Sequence, residues 1–329
     1  MRECLRVVGV SLIWTMAVVV AVVPSAFAAQ EGHFDRTLSV TGAVDLSVQT
    51  GSGNIAVKPG DSSKVEIHAT IRADHSWSNG DATARIHDIE TNPPIEQNGN
   101  TIRIGHFDDR GRERGISISY EMIVPEQTKL HSESGSGNES MGGITGPVDV
   151  TSGSGDLRVE NIGGEVHART GSGSVELDSI KGAARATSGS GSIRALGIAG
   201  GLNASSGSGE VKLEQTAAGD VEISTGSGDV DIKGAKGAVS VTTGSGEIKA
   251  QGVPSGDWKL RTGSGSVTVE FPENAAFELY AQTSSGNIET KHAISVQGNI
   301  GTHELRGKVG SGGTVRVELR TSSGAIRIL

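Results

Sequence analysis

The side chains here whose type and spacing could do chemistry recur with the glycines. In TSGSGDLRVENIGG, Thr151 to Gly164, an acid follows a Gly-Ser-Gly triplet. The same position reads Asn138, Asp156, Ser174, Ser192, Glu210, Asp229, Glu247, Ser266 and Asn287 along the chain. Asp156, Glu210, Asp229 and Glu247 are therefore candidate calcium ligands, because calcium-binding β-rolls carry an acid after each glycine turn of an 18-residue coil. The serines between them remove charge that a hard cation needs, which favours a structural role for the triplet over a metal. Asp108-Asp109 with His106 and Arg110 is the one dense polar cluster and would hold the acid–base groups of an enzyme. Adjacent side chains on a strand or loop point apart, so a solvated loop accounts for it more simply. His68, His75, His87 and His106 share one region without metal-ligand spacing. No Lys-Ser/Thr follows the triplet, as a phosphate loop would require. These residues assign no catalytic group, no cofactor and no metal.

The elements that carry these residues are set by the glycines themselves. Second glycines of successive triplets stand at Gly137, Gly155, Gly173, Gly191, Gly209, Gly228, Gly246, Gly265 and Gly286. A further column, Gly164, Gly182, Gly200, Gly219, Gly237 and Gly256, falls about midway between them. Between corners the chain alternates with period two: Leu157 and Val159, Val166 and Ala168, Val175 and Leu177 face one way, while Arg158, Glu160, Glu176 and Asp178 face the other. That period is half-buried strand. Arms so short cannot bury an apolar face alone, but stacked coils enclose a continuous core. The pattern predicts an all-β, parallel β-solenoid, a two-sheet β-roll-like coil of about 18 residues per turn. Nine coils at about 4.8 Å each would make a rod roughly 40 Å long. Ser152, Thr170, Ser188, Ser206, Thr225, Thr243, Thr262 and Thr283 precede the triplets in the inward phase and should form a hydroxyl ladder, the glycines supplying the backbone angles of a bend.

The predicted organisation is a signal peptide over 1–28, a β-rich N-terminal capping region over 29–129 and the solenoid over 130–329. Arg2 and Arg6 precede an apolar run, Val7 to Val23, and Ala26-Phe27-Ala28 offers a cleavage site; an uncut anchor is the alternative. Cys4, the only cysteine, lies in that leader, so the mature chain would have no disulfide and no thiol ligand. Losing Arg2, Arg6 and Glu3 moves the net charge from −9 to −10, which argues against nucleic acid as a partner. No later segment is apolar long enough to span a bilayer. Within the capping region, Ala73 to Asn100 and Phe107 to Arg114 are polar and loop-like. Trp77 lies in such a loop, and Trp258 holds an inward phase. After Gly137 the inward position falls to Glu139, which predicts a first coil that is irregular or open to water. The spacing breaks between Gly286 and Gly312, implying a loop around Lys291 to Arg306, and the tail from Gly312 should form the last coil. There is neither an outward Thr-x-Thr array nor an aromatic platform for sugar rings.

Three segments together, SYEMIVPEQTKLHSESGSGN (Ser119 to Asn138), the recurring TGSG[DES] with hydrophobic alternation, and ELRGKVGSGGTVRVELRTSSGAIRI (Glu304 to Ile328), resemble a family. It is the bacterial secreted β-strand-repeat proteins, a domain of unknown function labelled "putative adhesin". The resemblance implies a solenoid-like fold at the cell envelope and supplies no catalytic residues. The function expected is a non-catalytic exported β-solenoid, adhesive or structural, whose partner would be a cell-surface or envelope component. The alternatives are a calcium-stabilised β-roll, or an envelope enzyme with a site near His106-Arg110. The expected location is exported: periplasmic, at the cell surface or secreted.

Overall fold

The computed structural model describes residues 31–73, 79–107, 115–296, 301, 303–311 and 313–329. The leader over 1–28 with Cys4, and His75, Trp77, Asp108, Asp109 and Arg110, lie outside the described residues.

Each regular coil consists of two short strands joined by a Gly-Ser-Gly corner. Val148–Ser152 runs into Gly153-Ser154-Gly155 and out as Leu157–Ile162; the next coil repeats this with Val166–Thr170 and Val175–Ile180. Pre-corner strands pair in parallel with pre-corner strands, Val148↔Val166↔Ala184↔Leu202, and post-corner strands likewise, Leu157↔Val175↔Ile193↔Val211. The outcome is two mostly parallel sheets, of 14 and 15 strands among the described residues, enclosing one apolar core. Every inward pair expected from the alternation is buried, from Leu157 and Val159 to Val239 and Val241, and Trp258 is buried with its indole Nε1 donating to Gly237 O at 3.1 Å. The outward column Arg158, Glu176, Arg194, Lys212, Asp231, Lys249 is stacked in register, with Arg158 and Glu176 joined at 2.9 Å.

The recurring hydroxyl has two partners at once. Ser152 Oγ donates to Gly137 O in the coil before it (3.0 Å) and accepts the N–H of Gly155 in its own corner (2.8 Å). Thr170, Ser188, Ser206, Thr225 and Thr243 repeat both contacts. Two backbone groups per coil that face the dry interior are thereby paired. The glycines of these triplets are needed for a different reason than a bend: Gly153, Gly155, Gly171 and Gly173 do not take left-handed φ. A Cβ on Gly173 would lie 2.0 Å from Gly155 O, and one on Gly155 1.8 Å from Gly137 O. Backbone stacked on backbone leaves no room for a side chain.

The described residues form twelve layers, not nine, because both ends add layers out of chain order. At the N-terminal end Val44–Thr50 and Ile55–Pro59 make a layer paired to the Gly137 coil. Thr101–Ile104 and Ile116–Val124, later in the chain, stack outside it. Antiparallel strands Glu31–Ser39 and Lys64–Ala73 then extend the post-corner sheet. Pairing runs unbroken across position 129, from Val44–Thr50 onto Thr128–Ser134. The stretch read as loop over Ala73 to Asn100 holds a helix, Asn79–Thr91, whose Ala82, Ile86 and Ile89 are buried. It lies over Gly32, where a Cβ would meet Ile86 Cγ2 at 2.3 Å.

At the C-terminal end the tail does not form the last coil. Arg316–Ser323 pairs with Trp258–Thr262, and Ile326–Ile328 with Val267–Glu270. Phe277–Ser285 and Ile288–Thr290, earlier in sequence, lie on top of that tail. The expected loop over Lys291 to Arg306 instead contributes Ile294–Ser295 and the start of Glu304–Val309, antiparallel strands at the margin of the pre-corner sheet. The out-of-order layers are joined by the same corner contact as the regular coils: Thr321 Oγ1 donates to Gly265 O (2.8 Å) and Thr283 Oγ1 to Gly324 O (3.0 Å). The core at this end is filled by Trp258, Phe271 and Phe277, ring centroids 5.0 and 4.8 Å apart.

Candidate functional site

The four candidate calcium ligands occupy the exposed rim beside the Gly-Ser-Gly corners, and each has a local role there. Asp156 Oδ1 accepts the N–H of Ser174 in the next coil at 2.7 Å, and Asp229 Oδ1 accepts that of Glu247 at 2.7 Å. Asn54 and Asn138 do the same with neutral amides, so the contact that Asp156 and Asp229 make here does not depend on charge. Glu210 pairs with Lys212 at 2.9 Å and Glu247 with Lys249 at 3.1 Å. Glu210, Asp229 and Glu247 fall on successive coils, while Asp156 is separated from them by the Ser174 and Ser192 coils. Among the described residues no group of three or more His, Cys, Asp or Glu side chains is placed to hold a metal.

Of the cluster near His106-Arg110, only His106 is described. Its Nε2 lies 3.1 Å from Ser47 Oγ. His68 is taken up by Asp35 at 2.6 Å, and His87 stands 3.9 Å from Glu90. The described histidines of this set, His68, His87 and His106, are thus dispersed over separate segments.

Glu139 corrects an expectation. Its coil is neither irregular nor open: Glu139 lies in register between Ile55 and Leu157 and is 1% exposed. Ser132, at the inward position of the facing strand, donates its hydroxyl to Glu139 Oε2, while Oε1 has no partner. Burial pushes the carboxyl up to about 7, against the opposing pull of the Ser132 hydroxyl and the Ser134 backbone.

The concave feature with converging charge lies where the repeat breaks. Tyr280, outward and half-buried on Phe277–Ser285, has Arg306 opposite it on the antiparallel strand and Glu318 opposite it on the tail strand. The Arg306 and Arg320 guanidinium carbons stand 4.6 and 5.1 Å from its ring centroid, so the ring face holds both cations in place. Lys308 and Arg316 complete the lining of an open groove of about 540 Å3, with Glu278 and Glu318 on its floor. Glu318 receives Arg261 and Arg320, each at 2.7 Å. Burial raises its carboxyl, but those two guanidiniums and Lys259 outweigh it and hold the pKa below the ordinary glutamate value. Arg306 pairs with Glu304, and Lys308 reaches Glu278 at 3.9 Å. Arg316 makes no side-chain ion pair with a described residue; its backbone N–H donates to Asp257 Oδ1 at 3.0 Å. The groove is cationic on a chain whose net charge is −9.

None of these groove residues stands out from composition or from the regular repeat. The signal in the sequence was the break itself: between Glu304 and Arg320 four cations fall in a segment whose triplet spacing has lapsed.

The sequence model of the family described as Toastrack DUF4097 matches residues 44–329. Among curated proteins none matches the chain. Several solved structures resemble it, three of which follow. One is described as a putative adhesin from Bacteroides fragilis (14% identical over 90% of this chain and 97% of that one, TM-score 0.32). A second is a putative adhesin from Parabacteroides distasonis (10% identical, 90% and 97% covered, TM-score 0.39). The third is a putative lipid binding protein from the same species (12% identical, 91% and 97% covered, TM-score 0.40). Values this low transfer no site and no partner. No helix among the described residues is long and apolar enough to cross a membrane.

Proposed function

The chain belongs to the Toastrack DUF4097 family, and on that premise we propose that it is a non-catalytic exported β-solenoid acting as an adhesive surface at the cell envelope. The leader over 1–28 carries it out of the cytoplasm, and the stack then serves as a rigid support whose outer faces meet other envelope components. One observation carries the reading: the interior is consumed by packing and by corner hydroxyls, whereas the place that departs from the repeat presents Arg306, Lys308, Arg316 and Arg320 to solvent around Tyr280. A departure from the repeat that gathers like charges without a packing return is where a solenoid is expected to carry binding. Twelve layers at about 4.8 Å give a support of roughly 50 Å between the first and last.

The test is retention. Purified exported protein is mixed with isolated envelopes from its own cells, and a phosphatase reporter fused after Ala28 reports export. The expected result is reporter activity outside the cytoplasm and envelope retention well above that of serum albumin. Retention no better than albumin, or a reporter active only when the leader is removed, would refute the proposal.

A further inference from the structure

We infer that the groove around Tyr280 binds carboxylate-bearing sugars, that is, stretches of an acidic glycan. This deepens the proposed binding role and rests on it. Four features of the groove point to this ligand class. First, cations converge on it from two separate strands, Arg306 and Lys308 from one marginal strand and Arg316 and Arg320 from the tail, while Arg261 in the coil below pairs with Glu318 of the lining. Along the regular outward column single cations and acids are intermixed, Arg158 facing Glu176 and Asp231 facing Lys249, with Arg194 and Lys212 the one like-charged step. Here carboxylates are outnumbered, and repulsion among like charges gives the fold nothing in return.

Second, the guanidiniums are oriented before any ligand arrives. The Tyr280 ring stands beside Arg306 and Arg320, and its own hydroxyl is engaged by Gln282 Oε1 at 3.0 Å. Tyr280 is thus a positioning residue for the two forks. Third, the groove already contains the geometry it would offer: Glu318 sits against Arg261 and Arg320 at 2.7 Å each, a planar carboxylate on guanidinium N–H groups. Arg316 has no such partner among the described residues, and it is the cation left for an incoming carboxylate.

Fourth, the floor favours a singly charged, hydroxyl-rich ligand over a phosphate. Glu278 and Glu318 would repel a dianion more than a monoanion, and Glu278, held only at 3.9 Å by Lys308, is available to accept sugar hydroxyls. The volume, about 540 Å3, lies within the 300–1,000 Å3 of ordinary small-ligand sites.

The experiment titrates purified exported protein with oligogalacturonate, with neutral dextran oligomers, and with phosphatidylcholine vesicles containing phosphatidylglycerol. Oligogalacturonate should bind, weaken as salt rises, and bind at least tenfold more weakly to Arg306→Gln/Arg316→Gln; dextran should not bind. Tyr280→Leu should also weaken it with the charges intact. If the double variant fails to fold, Arg316→Gln alone, at an exposed side chain without an ion pair, carries the comparison. Equal binding of dextran and oligogalacturonate, or equal binding by parent and variants, overturns the assignment. So does tighter binding to the vesicles that the variants lose, which would make the site one for phosphate headgroups. Envelope retention that persists when oligogalacturonate fails to bind would sink this inference alone, whereas loss of both would sink the adhesive role as well.

Discussion

Glu139 makes the stability of this solenoid depend on pH, and Glu139→Gln isolates the effect. The carboxyl titrates near 7 in the folded chain and near its ordinary 4.5 once unfolded. Between those values the native state holds a proton that the unfolded state has released, so stability is greatest at or below pH 4.5 and falls as pH rises to about 7. A displacement of about 2.5 units corresponds to roughly 3 kcal/mol, fully lost by about pH 8. The physical source is the unpartnered Oε1 and the apolar neighbours Ile55 and Leu157 above and below. Glutamine keeps the shape and cannot ionise, so Glu139→Gln should exceed the parent by only about 1 kcal/mol at pH 5 and by about 3 kcal/mol at pH 8. Glu139→Leu should gain a further increment of about 1 kcal/mol or so at every pH, since burial of the aliphatic group is partly offset by orphaning the Ser132 hydroxyl. Urea unfolding followed by circular dichroism at pH 5, 6, 7 and 8 measures this. Comparison with the Gln variant cancels every titrating group that the two proteins share. Parallel pH profiles for parent and Gln variant would refute the reasoning, because they would mean Glu139 is solvated or bridged in the folded state.

Gly173→Ala should cost about 3 kcal/mol or more in urea melts, since its Cβ would lie 2.0 Å from Gly155 O and the coils would have to part; a parent-like midpoint would refute the close stacking. Ser179 holds φ at +58°, where the aligned positions 143, 197 and 234 are glycine, so Ser179→Gly should stabilise by about 0.5–1 kcal/mol by relieving left-handed strain. Millimolar calcium should leave the melting temperature unmoved, because Asp156, Asp229, Glu210 and Glu247 serve backbone N–H groups or lysines; an upward shift would revive the β-roll metal reading. Amide exchange at Ile326–Ile328 should be slower than at Ile288–Thr290, because the former strand is paired on both sides and the latter stands at the sheet edge.

The repeating part of the fold was legible because one side-chain phase recurs in every coil: Leu157, Val175, Ile193 and Val211 differ in shape but never in direction. Layer order at the ends was not legible. The corner Thr283 to Gly286 and the corner Thr321 to Gly324 offer the same hydroxyl and glycine, so local chemistry gives the tail no reason to sit above or below its predecessor. The helix Asn79–Thr91 escaped because its buried face has only Ala82, Ile86 and Ile89 on a polar background. Glu139 was correctly placed inward and wrongly given water, since a coil held by both neighbours and closed by Ser132 keeps the charge-bearing group dry and shifts its titration instead. The groove was hidden for the same reason as the layer order: Tyr280, Arg306 and Arg320 meet only once strands distant in sequence are neighbours.

That out-of-order threading explains why a binding groove can exist on this architecture at all. A solenoid continued in simple sequence would end on a coil with both sheet edges bare, an invitation to pair with another chain. Here the chain first builds the top layer, Phe277–Ser285 and Ile288–Thr290, and guards its pre-corner edge with the antiparallel strand Glu304–Val309. It then returns to fill the gap beneath. The terminal residue is pinned there: Leu329 N donates to Val269 O at 2.8 Å and its carbonyl accepts Phe271 N at 2.9 Å. The antiparallel strand covers an edge, yet it is free of the repeat and so of the parallel register that stacks each outward side chain on its equivalent in the next coil. Arg306 and Lys308 could be placed on it without disturbing a single corner, opposite tail cations already fixed by the inserted layer. The same device that protects the end of the stack therefore concentrates positive charge there, which is why we place binding at this end and not along the regular faces.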